Sequence, residues 1–348
     1  MRILIIKCGA LGDVVRSTAL LRPLTRRYPG AEIWWLSSAA ARPLLAGNPL
    51  VDFPLSVGPA ALARLAGVRF DWVLSMEEDP VCAGLQRVIA HERWTGVTPG
   101  AKRLGYTADS APYYAMSLLH RDPGGGHRSA DALKNANRRS FEDIWCAILG
   151  LKKAGAVPQI VLSRRDRAQA AAVVRSLGLE RLPLSIGINA GAGARWPAKR
   201  IPDDAVKRIG ARLRARWGVP ALLLGGPQEA RRNARLAARS RGSLVDMGAR
   251  HPLRVFAALL ERLDALLSTD TLAMHLANAL GTPVVAAFGP TSAREISLVD
   301  GVCLTPPEPC RCFYRVRCTW PTSCLGSISD DAWLKALTRL LPRRALKQ

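Results

Sequence analysis

Short apolar runs alternate with helix-patterned stretches along most of this chain, and that alternation limits its fold more than any other feature. RILIIK (2–7) is an apolar strand pattern. VVRSTALLRPLTRRY (14–28) carries apolar residues at 14, 15, 20, 21 and 24, the spacing of an amphipathic helix. AEIWWLSS (31–38), VDFPLS (51–56) and FDWVLSM (70–76) repeat the strand pattern, ARPLLAGNP and ALARLAG supply helices between them, and an acidic turn, EEDP (77–80), closes the series. Strand–helix–strand alternation predicts a parallel sheet wrapped by helices. The rhythm lapses over 98–131, a long stretch rich in Gly, Pro, Ser and Asp with no single period. Loops of that length in a compact protein are functional or disordered. SFEDIWCAILGL (140–151) restores a helix, with Ser140 placed to cap it.

A second alternating series begins near residue 160. LSIGINAG (184–191), VPALLLGG (219–226), DALLSTD (264–270) and TPVVAAFGP (282–290) read as strands, separated by helix patterns, and SDDAWLKALTRLL (329–341) is a terminal amphipathic helix. At 348 residues the chain exceeds one ordinary core. It divides into an N-terminal α/β domain over 1–158 and a C-terminal one over 159–348, with a terminal helix at 327–346 able to return to the N-terminal domain. Open parallel sheets bind ligands beyond the carboxyl ends of their strands, so two such domains facing each other place a site in a central cleft.

Four strand-to-helix junctions carry chemistry. In Gly9-Ala10-Leu11-Gly12-Asp13 the glycines permit a sharp turn and close approach of a substrate. Asp13 is either a helix-end acid, favoured there by the helix dipole, or a reacting group. The pattern is neither of the two common glycine-rich nucleotide fingerprints. Gly191-Ala192-Gly193-Ala194-Arg195-Trp196-Pro197-Ala198-Lys199-Arg200 combines glycine turns with three cations, a plausible phosphate cradle, or else a basic surface loop. Glu229, after Gly225-Gly226, can accept ribose hydroxyls or simply sit in a first helical turn. Ser268-Thr269-Asp270-Thr271 opens the helix that holds His275; its free amides with Thr271 suit a diphosphate, while His275 also fits a buried structural histidine.

The formal net charge is +23, yet only nine of the 50 basic residues are lysine. The basic segments 207–217 and 231–241 fall on helix patterns, where a solvated face is the plain reading. Aromatics are 6% and do not interleave with basic stripes, so a nucleic acid is not an expected partner. With an N-terminal apolar run of only a few residues and no bilayer-length segment, a cytoplasmic location is expected. Cys310, Cys312, Cys318 and Cys324 form C-x-C-x5-C-x5-C, open to a bound metal or to reduced structural thiols.

Taken together, ILIIKCGALGDVVRSTALLRPL, GARWPAKRIP and STDTLAMHLANALGTPVVAAFGPTS resemble the heptosyltransferase family of lipopolysaccharide core biosynthesis (glycosyltransferase family 9), across nearly the whole chain. The resemblance implies a GT-B fold of two Rossmann-like domains. It implies inverting, metal-independent transfer of a heptose from a nucleotide-sugar donor, ADP-heptose, to an acidic phosphorylated glycolipid acceptor. Asp13 falls on the family's general base, with Gly12 and Arg16 on the acceptor side. Lys199 falls on the lysine that contacts donor phosphates and Asp270 on the acid that contacts the donor sugar. Thr271 and His275 line the same junction, Glu229 falls on the ribose acid, Arg195, Gly191 and Ala192 lie in the phosphate turn, and 246–252 would flank the adenine. Leu272 stands where the family pattern has glycine, which puts backbone contacts at that position in doubt. No Asp-x-Asp pair is present to hold a divalent ion, and no cofactor is expected. The basic charge would hold such an enzyme peripherally on the anionic inner-membrane surface. The alternatives are a glycosyltransferase with another nucleotide sugar or acceptor, and a non-catalytic basic module for nucleic acid or membrane.

Overall fold

The computed structural model describes residues 1–100, 103–117, 128–193, 196–310, 312–318 and 323–341. The chain forms two units: Met1–Val161 joined by Arg294–Ser297, and Leu162–Ala293 continued from Leu298 onward.

The first unit begins with β1 (Arg2–Ile6), α1 (Leu11–Ser17), α2 (Leu21–Arg27), β2 (Glu32–Ser37) and β3 (Phe53–Ser56). It continues with α3 (Pro59–Ala66), β4 (Phe70–Ser75), α4 (Pro80–Gly84), β5 (His91–Thr98) and β6 (Gly105–Tyr106). Three helices close it: α5 (Ala111–Tyr114), α6 (Arg128–Ala136) and α7 (Phe141–Ile148). The sheet order is β3-β2-β1-β4-β5-β6, parallel except for the antiparallel β6. Strand side chains alternate between faces. Ile3 and Ile5 therefore pack with Trp35, Trp72 and Leu74 against Val14, Leu21, Leu24 and Trp145. Leu4 and Ile6 pack on the other face with Trp34, Phe70, Ala61 and Leu65. Coverage on both faces explains why these strands read as unbroken apolar runs.

Two features depart from the sequence reading here. HERWTGVT forms the strand β5, although its polar first half, whose His91, Glu92 and Arg93 are exposed or half-buried, hides the pattern. The stretch 98–131 is also partly regular: β6 pairs Val97 with Tyr106, α5 buries Tyr114, and α6 starts at Arg128. The glycine tip of that stretch, 124–126, lies outside the described residues.

The second unit opens with α8 (Arg164–Ser176), β7 (Ile186–Ile188), α9 (Asp203–Trp217), β8 (Ala221–Leu223), α10 (Ala230–Ala238) and β9 (Leu244–Asp246). It closes with α11 (Leu253–Glu261), β10 (Ala265–Thr269), α12 (Leu272–Leu280), β11 (Val284–Ala287), β12 (Gly301–Leu304) and α13 (Asp330–Leu340). Its parallel sheet runs β12-β11-β10-β7-β8-β9. Trp333 and Leu337 of α13 pack into the second unit's own core with Ile209, Leu213, Ile186 and Val285. That apolar face leaves α13 committed to the sheet whose last strand precedes it. Residues 342–346, included in the expected helix, lie outside the described residues.

The basic helix faces pair within the unit. Arg208 and Arg212 of α9 meet Asp330 and Asp331 at 3.0 and 2.6 Å, and Arg232 and Arg235 of α10 both reach Asp203 at 2.6 Å. The exposed pair Arg212–Asp331 is worth about 0–1 kcal/mol, whereas the Arg232 side chain is largely buried against Asp203. Among the described residues no helix is long and apolar enough to cross a membrane.

Candidate active site

In the first unit, β1 ends at Ile6 and the turn Lys7–Ala10 leads into α1. Asp13 occupies the first turn of α1, where the helix dipole favours an anion. Its carboxylate meets the Arg16 guanidinium at 2.8 Å; the Asp13 side chain is 39% exposed and Arg16 only 12%. Arg16 lies over the Phe141 ring at 4.4 Å, so its charge is held between a ring face and the acid. Gly12 is buried in the same turn of helix. The structure thus gathers Gly12, Asp13 and Arg16 at one strand end, with the acid at the solvent side. Below them, Glu77 Oε2 accepts from the Cys8 and Gly9 amides at 2.7 and 2.8 Å. Burial pushes the neighbouring Glu78 carboxyl above its ordinary range; Lys7 opposes that rise and the charge of Asp13 adds to it.

In the second unit, a larger cluster forms beyond β7, β8 and β10. Lys199 Nζ lies 2.7 Å from Asp270 Oδ2 and donates to the Asp270 backbone oxygen at 3.2 Å. His275 Nε2 is 3.4 Å from Asp270 Oδ1. Burial alone would raise the Asp270 carboxyl, but the Lys199 charge and the His275 contact outweigh it and hold it well below the usual range. Asp270 therefore stays ionised and keeps the ammonium in place. Lys199 also sits 5.0 Å from the Trp196 ring centre. Thr271 occupies the N-cap position of α12, yet its hydroxyl makes no cap bond. Thr271 Oγ1 donates instead to Asn189 Oδ1 at 3.1 Å and lies 3.1 Å from Ser268 Oγ. Leu272 is the first residue of that helix.

Glu229 is buried, and both of its oxygens are engaged. Oε1 accepts from the Gly193 amide at 3.2 Å and Oε2 from the Gly226 amide at 2.9 Å. Gly191 and Gly225 make room for it: a Cβ at Gly191 would come within 2.6 Å of Glu229 Oε1, and one at Gly225 within 2.7 Å of Glu229 Cβ. Gly193 has a φ of +60°, the left-handed region that favours glycine. Glu229 thus ties two glycine turns together. Each of its oxygens keeps a second acceptor position. Ala192 lies between the two glycines. Arg195 lies outside the described residues. In the segment 246–252, Asp246 accepts from the Gly248 amide at 3.0 Å and the His251 ring meets the Met247 oxygen at 2.7 Å.

Asn189 was not singled out by sequence reasoning, although it bonds both Thr271 and the Leu224 oxygen, the latter at 3.1 Å. The available signal was a polar residue ending an apolar strand. Away from these junctions, Cys310 Sγ lies 3.4 Å from Cys312 Sγ and 3.5 Å from Cys324 Sγ. Among the described residues no three His, Cys, Asp or Glu side chains are grouped so as to hold a metal ion.

Two parallel α/β sheets, each with a glycine turn and charged groups past its strand ends, define a Rossmann-like protein of the GT-B type. The family model for glycosyltransferase family 9 (heptosyltransferase) matches residues 61–301, and the chain belongs to that family. It is 26% identical to lipopolysaccharide heptosyltransferase 1 of Pseudomonas aeruginosa, over 100% of this chain and 97% of the relative. A family 9 glycosyltransferase structure from Veillonella parvula superposes with a TM-score of 0.77 at 20% identity, covering 97% of this chain and 96% of that one. The structure of ADP-heptose lipopolysaccharide heptosyltransferase II from E. coli gives 0.64 at 20% identity, covering 98% of each.

Proposed function

We propose that this glycosyltransferase is inverting and moves a heptose from ADP-heptose to an acceptor of the lipopolysaccharide core. The observation that carries the reading is Lys199, held on Asp270 beside the side-chain-uncapped start of α12. A departing nucleoside diphosphate gathers negative charge, and a fixed ammonium with helix-start amides stabilises it as it forms. The Gly191–Gly193 turn would lie along the donor, with Ala192 exposing backbone to it, and Glu229 would receive the ribose at its second acceptor positions. Asp270, Thr271 and His275 would face the sugar.

On the acceptor, Asp13 takes the proton of the attacking hydroxyl. The new bond forms at the anomeric carbon as its bond to the diphosphate oxygen breaks, and the nucleotide leaves with that electron pair. A positioned base of this kind is worth about 10²–10⁴ in rate. Gly12 gives the acceptor close approach, and Arg16 holds the base and meets acceptor phosphate. No divalent ion or other cofactor enters this reading, since Lys199 and the amides supply the positive charge. Acceptor phosphates and the +23 charge support work at an anionic membrane surface on the cytoplasmic side, with no role for nucleic acid.

The test is transfer by the purified protein with a panel of ADP-, UDP- and GDP-sugars, with and without chelator. Asp13→Ala should abolish transfer and leave ADP affinity unchanged; retained turnover overturns Asp13 as base. Leu272, at the start of α12, favours a second reading in which the sugar or nucleotide differs. Preference for a UDP- or GDP-sugar in the same panel would select it.

A further inference from the structure

The acidic turn Glu77-Glu78-Asp79 takes no part in the chemistry above, yet two of its carboxylates are committed to backbone amides. Asp79 caps α4, its Oδ1 accepting from the Val81 and Cys82 amides at 2.9 and 3.1 Å. Glu77 reaches sideways from the end of β4 to the turn after β1. Its side chain is 14% exposed, and Oε2 takes the Cys8 amide at 2.7 Å, the Gly9 amide at 2.8 Å and Lys7 Nζ at 3.4 Å. The chain runs from those amides straight into α1, and Asp13 follows Gly9 by four residues.

The start of that turn is tied at Lys7, whose amide donates to the Leu36 oxygen at 3.0 Å and whose oxygen accepts from Trp35 Nε1 at 3.2 Å; Glu77 takes the next two amides, those of Cys8 and Gly9. Among the described residues, a Cβ built at Gly9 would meet nothing within 4 Å, so no neighbour braces the turn from that side. Ala10, at the N-cap of α1, carries no polar side chain to tie the helix start. An ionised carboxylate accepting two backbone amides is among the stronger hydrogen-bonded contacts, and the Lys7 ammonium balances its charge. The second unit uses the same device, with Glu229 at the end of β8 holding the turn after β7.

We propose that Glu77 is a positioning residue that fixes the entry of α1 and thereby sets where the Asp13 carboxylate stands. The proposal rests on Asp13 being the base. Misplacing a reacting group by about 1 Å costs about 10²-fold in rate. In the full-length protein, Glu77→Ala should lower kcat about 10- to 100-fold while KM for the nucleotide sugar and ADP affinity stay within about twofold. Glu77→Gln keeps an oxygen that can accept both amides and should restore most of the loss. Glu77→Asp keeps the charge but withdraws the oxygen, and should behave like Glu77→Ala. Wild-type kcat in a folded Glu77→Ala or Glu77→Asp variant, with Asp13→Ala inactive, overturns the positioning role alone. An active Asp13→Ala overturns the base assignment itself. Should Glu77→Ala fail to fold, as judged by circular dichroism and Tm, the Gln and Asp pair decides: equal kcat in the two overturns the proposal.

Discussion

Lys199 and Asp270 form a 2.7 Å ion pair in which neither side chain is more than 16% exposed, and His275 closes on the other carboxylate oxygen at 3.4 Å. Half-buried pairs of this kind are costly to desolvate, so their presence alone argues little for stability. What the pair does is hold a cation at a chosen point and keep it from swinging into solvent. Each partner depends on the other, and that dependence can be measured.

Removing one partner strands the other charge. Lys199→Ala and Asp270→Ala should each destabilise the protein by roughly 3 kcal/mol. The double substitution Lys199→Ala/Asp270→Ala should cost clearly less than the two single changes summed, because no unpaired charge of the pair remains. A double-mutant cycle by urea denaturation checks this, and additive losses would show the pair is not coupled. Lys199→Ala should also weaken ADP binding, read by calorimetry, whereas Asp13→Ala should not.

Gly191 has no freedom to grow. A Cβ there runs into the Glu229 carboxylate, which is itself pinned by the Gly193 and Gly226 amides. Gly191→Ala must displace that carboxylate or the turn, at a cost of about 1–3 kcal/mol. Donor KM should rise together with the loss in Tm. Gly30 is the control: a Cβ there meets nothing, but its φ of +73° disfavours alanine. Gly30→Ala should lower Tm modestly and leave donor KM unchanged.

The fold was legible wherever an apolar run is covered on both sheet faces, as RILII, EIWWLS and ALLST are. It was illegible where burial is one-sided or slight. α8 buries only Asp166 and Ala170, so RRDRAQAAAVVRS shows too weak an apolar stripe to read as a helix from hydrophobicity alone. β5 begins with His, Glu and Arg and becomes apolar only from Trp94. In the candidate site, Asp13, Lys199, Asp270 and His275 sit at strand-to-helix junctions that the pattern of elements marks out. Glu77 and Asn189 were hidden because their bonds cross to distant segments, Glu77 to Cys8 and Gly9, and Asn189 to Leu224 and Thr271. Spacing along one strand says nothing of the loop that will fold beside it.

Asp166 offers a stability marker away from the candidate site. It closes a capping box with Ser163 at the start of α8 and meets Arg254 at 2.7 Å. Burial pushes its carboxyl up, but Arg254 and the Ser163 hydroxyl and amide outweigh that and bring it down to about 2. A depressed carboxylate stabilises the fold above its unfolded value, about 3.9, and loses that contribution as pH falls through the folded value. Asp166→Asn should therefore cost about 1–2 kcal/mol at pH 7. The gap to wild type should shrink between pH 4 and pH 2, measured by denaturant midpoints.

Glu142 should show the opposite sign. It is 1% exposed on α7, and its Oε2 has no hydrogen-bond partner among the described residues. Burial raises its carboxyl above the ordinary value, and a backbone hydrogen bond and the Arg16 charge offset only part of that rise. The folded state thus holds this proton more tightly than the unfolded chain does. Stability is greatest below the unfolded value, about 4.3, and declines as pH rises through the higher folded value. Glu142→Gln keeps the shape without the ionisation, so it should gain stability over wild type at pH 7. At pH 4, just below the unfolded value, the advantage should shrink. Paired urea titrations at the two pH values decide the matter, and an equal gain at both would show that ionisation is not its source.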